Sequence, residues 1–331
     1  MSKRAPVAIL RANPGEHPQA LSDRLARVLL EGRGRAEEVA VMGRAPVPSP
    51  GRTPAEVLTC RFADGSVRRL LCKYGHPESA VGYGHWGGVP YEAAVYQQVL
   101  RVLRLSPVEL FGAYEEAETG ATWLFLEYLD GSSRLDDTGG VTAFAHAAAW
   151  IGRFHTSAQQ QLATGGWQVL ADYDEAYYRG WITRTAVFAE PLREHFPWLK
   201  LLCQRWERVV APLLAARTTV IHGEYYPKNI LVHDGGVYPI DWESAAIGAG
   251  EIDLASLTER WPPDIVHQCQ LEYQRVRWPE GPPPEFERTL AAARLYLQFR
   301  WMGDRVKWTT RPKNHWRFGE MQRLAERLEL I

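Results

Sequence analysis

The stretch VIHGEYYPKNILVHDGGVYPIDWE, Val220–Glu243, concentrates oxygen-bearing side chains around a short predicted hairpin. The segments ILVH and VYPI are predicted to be strands joined by the turn Asp234-Gly235-Gly236. If the pairing centres on Gly235, then Asn229 and Asp241 face each other, with β-carbons about 4.5–5.5 Å apart. An amide oxygen and a carboxylate at this spacing suit one hard cation, so the stretch predicts a Mg²⁺ site completed by phosphate oxygens and water. The alternative is that both side chains only cap strand ends.

Composition excludes several classes of protein. The chain has 331 residues, is 46% hydrophobic and carries a formal net charge of −1, so no global field attracts nucleic acid or an anionic membrane. The four cysteines form no CxxC pair, which argues against a zinc site or a disulfide framework. The N-terminal apolar run is broken by Pro6, and no run approaches the roughly 20 apolar residues of a membrane span. These features predict a cytoplasmic protein.

Hydrophobic patterning divides the chain into two parts. Residues 37 to 129 contain five β-like runs, with an Asp-Gly turn signal inside Ala63–Ser66. The segment VPYEAAVYQQVLRVL is predicted to be a helix with one apolar stripe, formed by Glu92, Val95, Tyr96, Val99, Val102 and Leu103. From residue 140 onward the pattern is helical, apart from the hairpin. The predicted fold class is therefore α+β, with a strand-rich part followed by a helical part.

Three motifs in this order resemble the aminoglycoside phosphotransferase family, within the choline-kinase-like and protein-kinase-like fold. HGEYYPKN is similar to that family's catalytic loop, IDWE to its metal-binding Asp motif, and GAGEIDLASL to its downstream element, which here contains Asp253. The resemblance spans roughly residues 37 to 260. It implies a β-rich N-terminal lobe (1–126), a hinge (127–133) and a helical C-terminal lobe (134–331). ATP or GTP is then expected between the lobes with Mg²⁺, and adenine is expected along the hinge backbone at Glu127, Tyr128 and Leu129.

Lys73 and Glu92 fit the family's Lys and Glu positions. Phosphoryl transfer needs a cation on the α- and β-phosphates, and a carboxylate to hold that cation in place. Lys73 lies on the strand after the Asp-Gly turn, and Glu92 lies on an apolar stripe, where a carboxylate is costly unless it is paired. The alternatives are a solvated strand-end lysine and a Glu that favours the helix dipole.

Two loops of the N-terminal part are less informative. GYGHWG, with Gly82, Gly84 and Gly87, matches GxGxxG but begins nine residues after Lys73, so it does not follow a strand end as a dinucleotide fingerprint requires. The insert is interpreted as a mobile loop, with a dinucleotide-dependent enzyme as a minor alternative. The segment GRAPVPSPGRTPA, where a phosphate-covering loop is expected, is rich in Pro rather than Gly.

Glu224 stands where the resemblance implies a catalytic Asp. Glutamate offers the same carboxylate on one extra methylene. The transition state of phosphoryl transfer is loose, so the acceptor hydroxyl needs little deprotonation early in the reaction. A displacement of about an ångström nevertheless costs on the order of 10²-fold in rate. Three alternatives stay open: an active site shaped for the longer acid, a slow enzyme, and a nucleotide binder without turnover. Because Lys73, Glu92, Asn229 and Asp241 are all present, activity is favoured.

The predicted function is ATP- and Mg²⁺-dependent transfer of the γ-phosphate to a hydroxyl of a small molecule: an antibiotic, sugar, nucleoside or amino alcohol. Glu224 is predicted to be the base or the hydroxyl-orienting group, together with Asn229 and Asp241. The alternative is a non-catalytic nucleotide-binding regulatory protein of the same fold. Neither a nucleic-acid nor a membrane partner is expected, and the protein is predicted to be a monomer or dimer.

The acceptor is not defined by the sequence. A polycationic aminoglycoside would favour an acidic wall such as Ala171–Tyr178, whereas from Arg294 onward nine Lys or Arg stand against four Asp or Glu. The same C-terminal region is rich in Trp, which suits stacking on sugar rings. Its basic field is too small to predict nucleic-acid binding.

Overall fold

The computed structural model describes residues 18–33, 38–47, 53–76, 83–84, 87–105, 108–138 and 140–331. They divide into two compact units, one within Met1–Val81 and Gly87–Gly131 and the other within Gly82–Trp86 and Ser132–Ile331. The first combines a sheet with helices and the second is mainly helical, which confirms the predicted α+β class. The predicted limits of lobes and hinge stay a prediction.

The first unit is built on one antiparallel five-stranded sheet in the order β1-β2-β3-β5-β4. Its strands coincide with the five predicted runs: β1 (Val39–Pro46), β2 (Ala55–Phe62), β3 (Val67–Gly75), β4 (Leu110–Glu115) and β5 (Thr122–Glu127). The predicted turn joins β2 to β3, with Gly65 at φ +81° and the N–H of Ser66 donating to Asp64 Oδ1 at 2.8 Å. Glycine adopts this left-handed conformation at little cost, so the Asp-Gly signal is confirmed.

A helix that sequence patterning did not identify packs on this sheet. It is α1 (Pro18–Arg33), and its Leu21, Leu25 and Val28 join a core shared with β1 to β5. Val28 approaches β4 so closely that a β-carbon on Gly112 would lie 2.2 Å from its Cγ1. The close approach therefore requires glycine at position 112.

The predicted helix after the insert is confirmed, but its apolar stripe changes phase. It consists of α2 (Gly88–Val95), a π-helical turn (Tyr96–Leu100) and α3 (Arg101–Leu103). A π-turn carries one extra residue, which rotates the following side chains. Leu100 is consequently buried, and Val102, predicted to be on the stripe, is 52% exposed.

The second unit is organised around α11, which is buried along most of its length. The helices are α4 (Leu135–Thr138), α5 (Val141–Leu162), α6 (Glu175–Phe188), α7 (Trp198–Gln204), α8 (Trp206–Ala215), α9 (Glu251–Leu257), α10 (Pro263–Arg277), α11 (Phe286–Asp304), α12 (Val306–Thr309) and α13 (Trp316–Arg327). Short 3₁₀ turns span Glu190–Leu192, Pro227–Asn229 and Pro312–Asn314. Among the described residues, no helix is long and apolar enough to cross a bilayer.

Two small sheets carry the functional loops of this unit. One has the order β10-β9-β6 and the other β7-β11-β8. Their strands are β6 (Ser133–Arg134), β7 (Ala171–Asp172), β8 (Thr218–Ile221), β9 (Ile230–His233), β10 (Gly236–Pro239) and β11 (Ala246–Ala249). The loop between β8 and β9 holds Glu224, and Asp241 lies just after β10.

Candidate active site

The loop after β8 needs a glycine to turn toward the site. Gly223 has φ +79°, and a β-carbon there would lie 2.2 Å from the carbonyl oxygen of Ser244. Any other residue would therefore clash with the backbone that follows Asp241. This close packing ties the Glu224 loop to the hairpin that carries Asn229 and Asp241.

Asp253, on α9, braces this loop. Its Oδ2 accepts from the N–H of His222 at 2.7 Å, and its Oδ1 accepts from the N–H of Gly223 at 2.9 Å. The ring of His155 lies 3.1 Å from Asp253 Oδ2 through Nε2. Because Asp253 is fully buried, these charge-assisted bonds fix the backbone immediately before Glu224.

His222 holds the loop through both ring nitrogens. Nε2 lies 2.9 Å from the carbonyl oxygen of Ile240, and Nδ1 accepts from the N–H of Glu224 at 3.3 Å. This pattern assigns the neutral ring with its proton on Nε2. Burial lowers the pKa of His222 despite the nearby carboxylates, which agrees with a neutral ring. These two contacts make His222 a brace between the loop and the end of the hairpin.

A buried arginine that the sequence analysis did not identify binds Glu224. Arg300 on α11 donates from Nη2 to Glu224 Oε1 at 2.6 Å and from Nη1 to the carbonyl oxygen of Gly223 at 2.8 Å. The side chains of Arg300 and Glu224 are only 5% and 13% exposed. Burial alone would lower the pKa of Arg300, but the Glu224 carboxylate and the surrounding tyrosines hold it well above its ordinary value. The two groups therefore form an ion pair.

The hairpin register differs from the prediction by one residue. Pro239 pairs with Ile230, and the N–H of Ile240 donates to the carbonyl oxygen of Asn229 at 2.9 Å. Asn229 thus faces Ile240 rather than Asp241, so the expectation of directly opposed Asn229 and Asp241 is wrong. The reason lies in the turn.

The turn consists of two residues, Asp234 at φ +47° and Gly235 at φ +75°. Both values are positive, as a type I′ turn requires, and Asp-Gly is a preferred sequence for it. Gly236 is therefore the first residue of β10 rather than part of the turn. A hairpin closed this tightly cannot take the register centred on Gly235.

Asn229 and Asp241 nevertheless reach the same end of the hairpin. Asn229 Nδ2 donates to the carbonyl oxygen of Glu224 at 3.0 Å, which places the amide oxygen on the other side of the group. Asp241 adopts φ +69°, a left-handed conformation that is uncommon for residues other than glycine. Such strain persists where the surroundings impose it, and it is concentrated at functional sites.

The donor set at the hairpin fits a magnesium ion. In the part of the chain that the structure describes, no group of three or more His, Cys, Asp or Glu side chains is placed to hold a metal. Mg²⁺ commonly takes only one or two protein oxygens and keeps water and phosphate as its other ligands. An amide oxygen from Asn229 and a carboxylate from Asp241 match that demand.

In the first unit, Lys73 and Glu92 form a buried ion pair. Lys73 Nζ lies 2.8 Å from Glu92 Oε1 and 2.7 Å from Oε2, and the two side chains are 11% and 1% exposed. Both oxygens of the carboxylate therefore hold one ammonium group. This arrangement excludes the alternatives of a solvated lysine and an unpaired first-turn glutamate.

The predicted adenine-binding residues lie at the end of β5. The N–H of Glu127 donates to the carbonyl oxygen of Glu109 at 2.9 Å, and the N–H of Tyr128 donates to that of Arg69 at 3.1 Å. The guanidinium of Arg69 also lies 4.6 Å from the ring centroid of Tyr128. Leu129 is buried, at 9% exposure. The N–H groups of Glu127 and Tyr128 are thus used within the sheet and its edge.

The described residues include only part of the insert and of the Pro-rich segment. Gly82, and residues 48–52 of the segment GRAPVPSPGRTPA, lie outside the described residues. The interpretation of the insert as a mobile loop therefore stays a prediction.

Solved structures similar to this chain share its fold at low sequence identity. The choline kinase LicA from Streptococcus pneumoniae matches with a TM-score of 0.60 and 15% identity, over 95% of this chain and 99% of that one. A putative fructosamine-3-kinase from Haemophilus somnus 129PT matches with a TM-score of 0.56 and 14% identity, over 92% and 97%. The GDP complex of an aminoglycoside 2'-phosphotransferase-IIIa mutant matches with a TM-score of 0.59 and 11% identity, over 95% and 96%. These similarities confirm the predicted protein-kinase-like fold.

Sequence comparison gives the family. A search of curated proteins finds no match. The family model described as "Phosphotransferase enzyme family" matches residues 87–301, about two thirds of the chain, and the match includes Glu92, Glu224, Asn229, Asp241 and Arg300. This match confirms the suspected family and the predicted enzyme class, a small-molecule kinase. The chain belongs to the phosphotransferase enzyme family.

Proposed function

We propose that this protein transfers the γ-phosphate of ATP or GTP to a hydroxyl group of a small molecule in a Mg²⁺-dependent reaction. The observation that carries the proposal is the fixed loop between Gly223 and Asp241. In it, Glu224 is bound by Arg300, Asn229 is bonded to the Glu224 carbonyl, and Asp241 follows the residue that pairs with Asn229. These are the groups that acceptor orientation and metal binding require.

In the proposed reaction, the acceptor oxygen forms the new bond to the γ-phosphorus. The bond from that phosphorus to the bridging oxygen breaks, and the nucleoside diphosphate leaves with the electron pair. The hydroxyl proton passes to Glu224 late in the transfer and from there to solvent. A bound Mg²⁺ would neutralise charge that develops on the phosphates.

Glu224 acts in this proposal mainly as an orienting group. A guanidinium within hydrogen-bonding distance favours the ionised form of a carboxylate and so makes it a weaker base. Little deprotonation is needed early in a loose transition state, so a well-positioned carboxylate suffices. The extra methylene of glutamate then has a structural reason, because it carries the carboxylate to Arg300.

Lys73 is proposed to bind the α- and β-phosphates while Glu92 keeps its ammonium group in place. Adenine is proposed to lie along the backbone at Glu127, Tyr128 and Leu129. The GDP complex of the similar aminoglycoside phosphotransferase supports nucleotide binding by this fold. The identity of the nucleotide is part of the proposal.

The experiment is a phosphoryl-transfer screen of the purified protein. It would be incubated with ATP or GTP, Mg²⁺ and a panel of sugars, nucleosides, amino alcohols and antibiotics. Release of diphosphate and a mass increase of one phosphate on an acceptor would support the proposal. Tight nucleotide binding without transfer to any acceptor would instead favour the non-catalytic regulatory protein.

A further inference from the structure

Two residues of the insert between β3 and α2, Tyr83 and Gly84, pack against α6. Both belong to the second unit, as do α6 and α11. The rings of Tyr83 and Trp181 lie at 87° to each other with their centroids 4.8 Å apart, an edge-to-face arrangement that aromatic pairs prefer. A β-carbon on Gly84 would lie 3.5 Å from Cε2 of Tyr177, so the backbone of the insert also contacts the helix. The insert is therefore attached to α6 at two successive residues.

The place that Tyr83 occupies on α6 exists because residue 180 is a glycine. A β-carbon on Gly180 would overlap Oη and Cζ of Tyr83, so a larger residue at this position excludes the ring. In the interior of a helix, glycine is less favourable than alanine by about 1 kcal/mol. Gly180 therefore costs α6 some helix stability, and the space that it leaves is filled by Tyr83.

Arg184 connects Tyr83 to the end of α11. Its guanidinium carbon lies 4.9 Å from the centroid of the Tyr83 ring. The same guanidinium donates from Nε to the carbonyl oxygen of Gly303 at 2.8 Å and from Nη2 to that of Asp304 at 3.1 Å. Carbonyl groups in the last turn of a helix have no partner within the helix and need one from outside. Tyr83 thus packs against the side chain that caps α11.

The capped helix carries Arg300, which binds Glu224 at 2.6 Å. It lies close to α6 both before and after this arginine. Thr185 Oγ1 donates at 2.8 Å to the carbonyl oxygen of the residue that precedes Arg300. A β-carbon on Gly303, one turn further along, would lie 2.9 Å from a backbone carbonyl oxygen of α6. The position of the Arg300 guanidinium therefore depends on α6 and on the cap at the end of α11.

We propose that Tyr83 is a positioning residue for Glu224. Seated over Gly180, it holds Arg184 against the end of α11, and α11 holds the guanidinium that fixes the Glu224 carboxylate. Loss of Tyr83 from this place would free Arg184, loosen the last turn of α11 and let the carboxylate move. This role rests on the proposed kinase function, and it gives a residue of the insert control over turnover without contact with a substrate.

Variants of Tyr83 separate positioning from packing. Tyr83→Ala should lower kcat by about tenfold to 10²-fold with an unchanged KM for nucleotide, because a shift of up to an ångström in a catalytic group costs up to about 10²-fold. Tyr83→Phe keeps the ring contacts and should retain most of the turnover. Hydrogen exchange of backbone amides in residues 220–225 and 297–304 should be faster in Tyr83→Ala than in Tyr83→Phe and the parent.

Parental kcat or parental exchange in Tyr83→Ala would overturn the positioning role and leave the kinase function standing. If the parent phosphorylates no acceptor, the kinase function fails, and the exchange rates decide alone whether Tyr83 holds the Glu224 loop.

A methyl group at position 180 tests the same attachment from the side of the helix. The three atoms nearest to a β-carbon there all belong to Tyr83, so Gly180→Ala should displace the ring and lower kcat as much as Tyr83→Ala does. In the Tyr83→Ala background, Gly180→Ala should leave kcat unchanged and raise the melting temperature, since alanine favours the helix. The control is Gly319→Ala on α13, whose β-carbon would meet no atom of the described residues within 4 Å and should keep parental kcat. Losses of kcat that multiply in the double variant would overturn the inference.

Discussion

Arg300 Nη2 lies 2.6 Å from Glu224 Oε1, and the same guanidinium donates from Nη1 to the carbonyl oxygen of Gly223 at 2.8 Å. One buried arginine therefore fixes both the candidate catalytic carboxylate and the backbone before it. Such a two-point contact needs the planar fork of arginine, which lysine lacks. It also explains how a glutamate can be positioned firmly at this place in the loop.

Arg300→Met should lower turnover and stability together. Removing one partner of a buried ion pair costs about 3–5 kcal/mol, because the other charge is left buried and uncompensated. We expect kcat to fall by about 10²-fold, the cost of roughly an ångström of displacement, while nucleotide affinity changes little. Arg300→Lys should recover part of the turnover. Parental kcat in Arg300→Met, measured in protein that is still folded, would contradict a positioning role.

Substitutions at Glu224 test whether the active site is shaped for glutamate or whether glutamate is a neutral replacement of the family's aspartate. Glu224→Gln should lower turnover by about 10²-fold or more and barely change nucleotide affinity, since it keeps the shape but removes the charge. Glu224→Asp should not improve the enzyme, because the shorter side chain withdraws the carboxylate from Arg300. If Glu224→Asp raises kcat, the structural reason given for glutamate is wrong.

Lys73→Ala should weaken nucleotide binding and leave Glu92 without its buried partner. Affinity is measured by calorimetric titration of ATP with and without Mg²⁺. Lys200→Ala, at an exposed position on α7, is the control for loss of a lysine and should bind nucleotide as the parent does. Unchanged affinity and turnover in Lys73→Ala would show that the ion pair has no part in nucleotide binding.

Asp241→Asn should remove most activity and weaken its dependence on Mg²⁺. Asparagine tolerates positive φ well, so the backbone at φ +69° is expected to be kept. A matched control exists in the same hairpin, because Asp234 also has positive φ, at +47°, but its side chain is 89% exposed in the turn. Asp234→Asn should leave the Mg²⁺ titration of activity unchanged. An Asp241→Asn variant with parental Mg²⁺ dependence would exclude the proposed metal site.

Local motifs allowed much of the site to be predicted, and long-range packing accounts for the rest. Lys73 and Glu92 were identified because they fit the family's Lys and Glu positions, one on a strand and the other on the apolar stripe of the following helix. Arg300 lies in an apolar helical run, a pattern that calls for a buried partner, but its partner is 76 residues away in the chain. At this separation in the chain, the sequence gives no indication of which carboxylate binds Arg300.

The register of the hairpin could not be predicted from the sequence. Its strands and their Asp-Gly turn were predicted, yet the register depends on whether the turn has two residues or three. That choice is made by backbone dihedral angles at Asp234 and Gly235, and a slip of one residue changes every cross-strand pair. The π-turn before Val102 changed the helix phase in the same way. In both elements a difference of one residue changed which side chains face each other.

Acid should destabilise the fold through His155. This ring is fully buried, where burial lowers its pKa and outweighs the opposing effect of Asp253. The native state therefore holds His155 neutral while the unfolded chain protonates it below its ordinary pKa of about 6.5. Since the unfolded state binds more protons in that range, stability is present at neutral pH and is lost as pH falls below about 6.5, by up to about 1.4 kcal/mol per pH unit.

Urea unfolding between pH 7.5 and pH 5 measures this slope. His155→Gln should be less stable at pH 7.5, because its contacts with Asp253 and Tyr273 are disturbed, but it should show a smaller slope; the exposed His146→Gln should keep the parental slope. Identical slopes in His155→Gln and the parent would mean that another group governs the acid sensitivity.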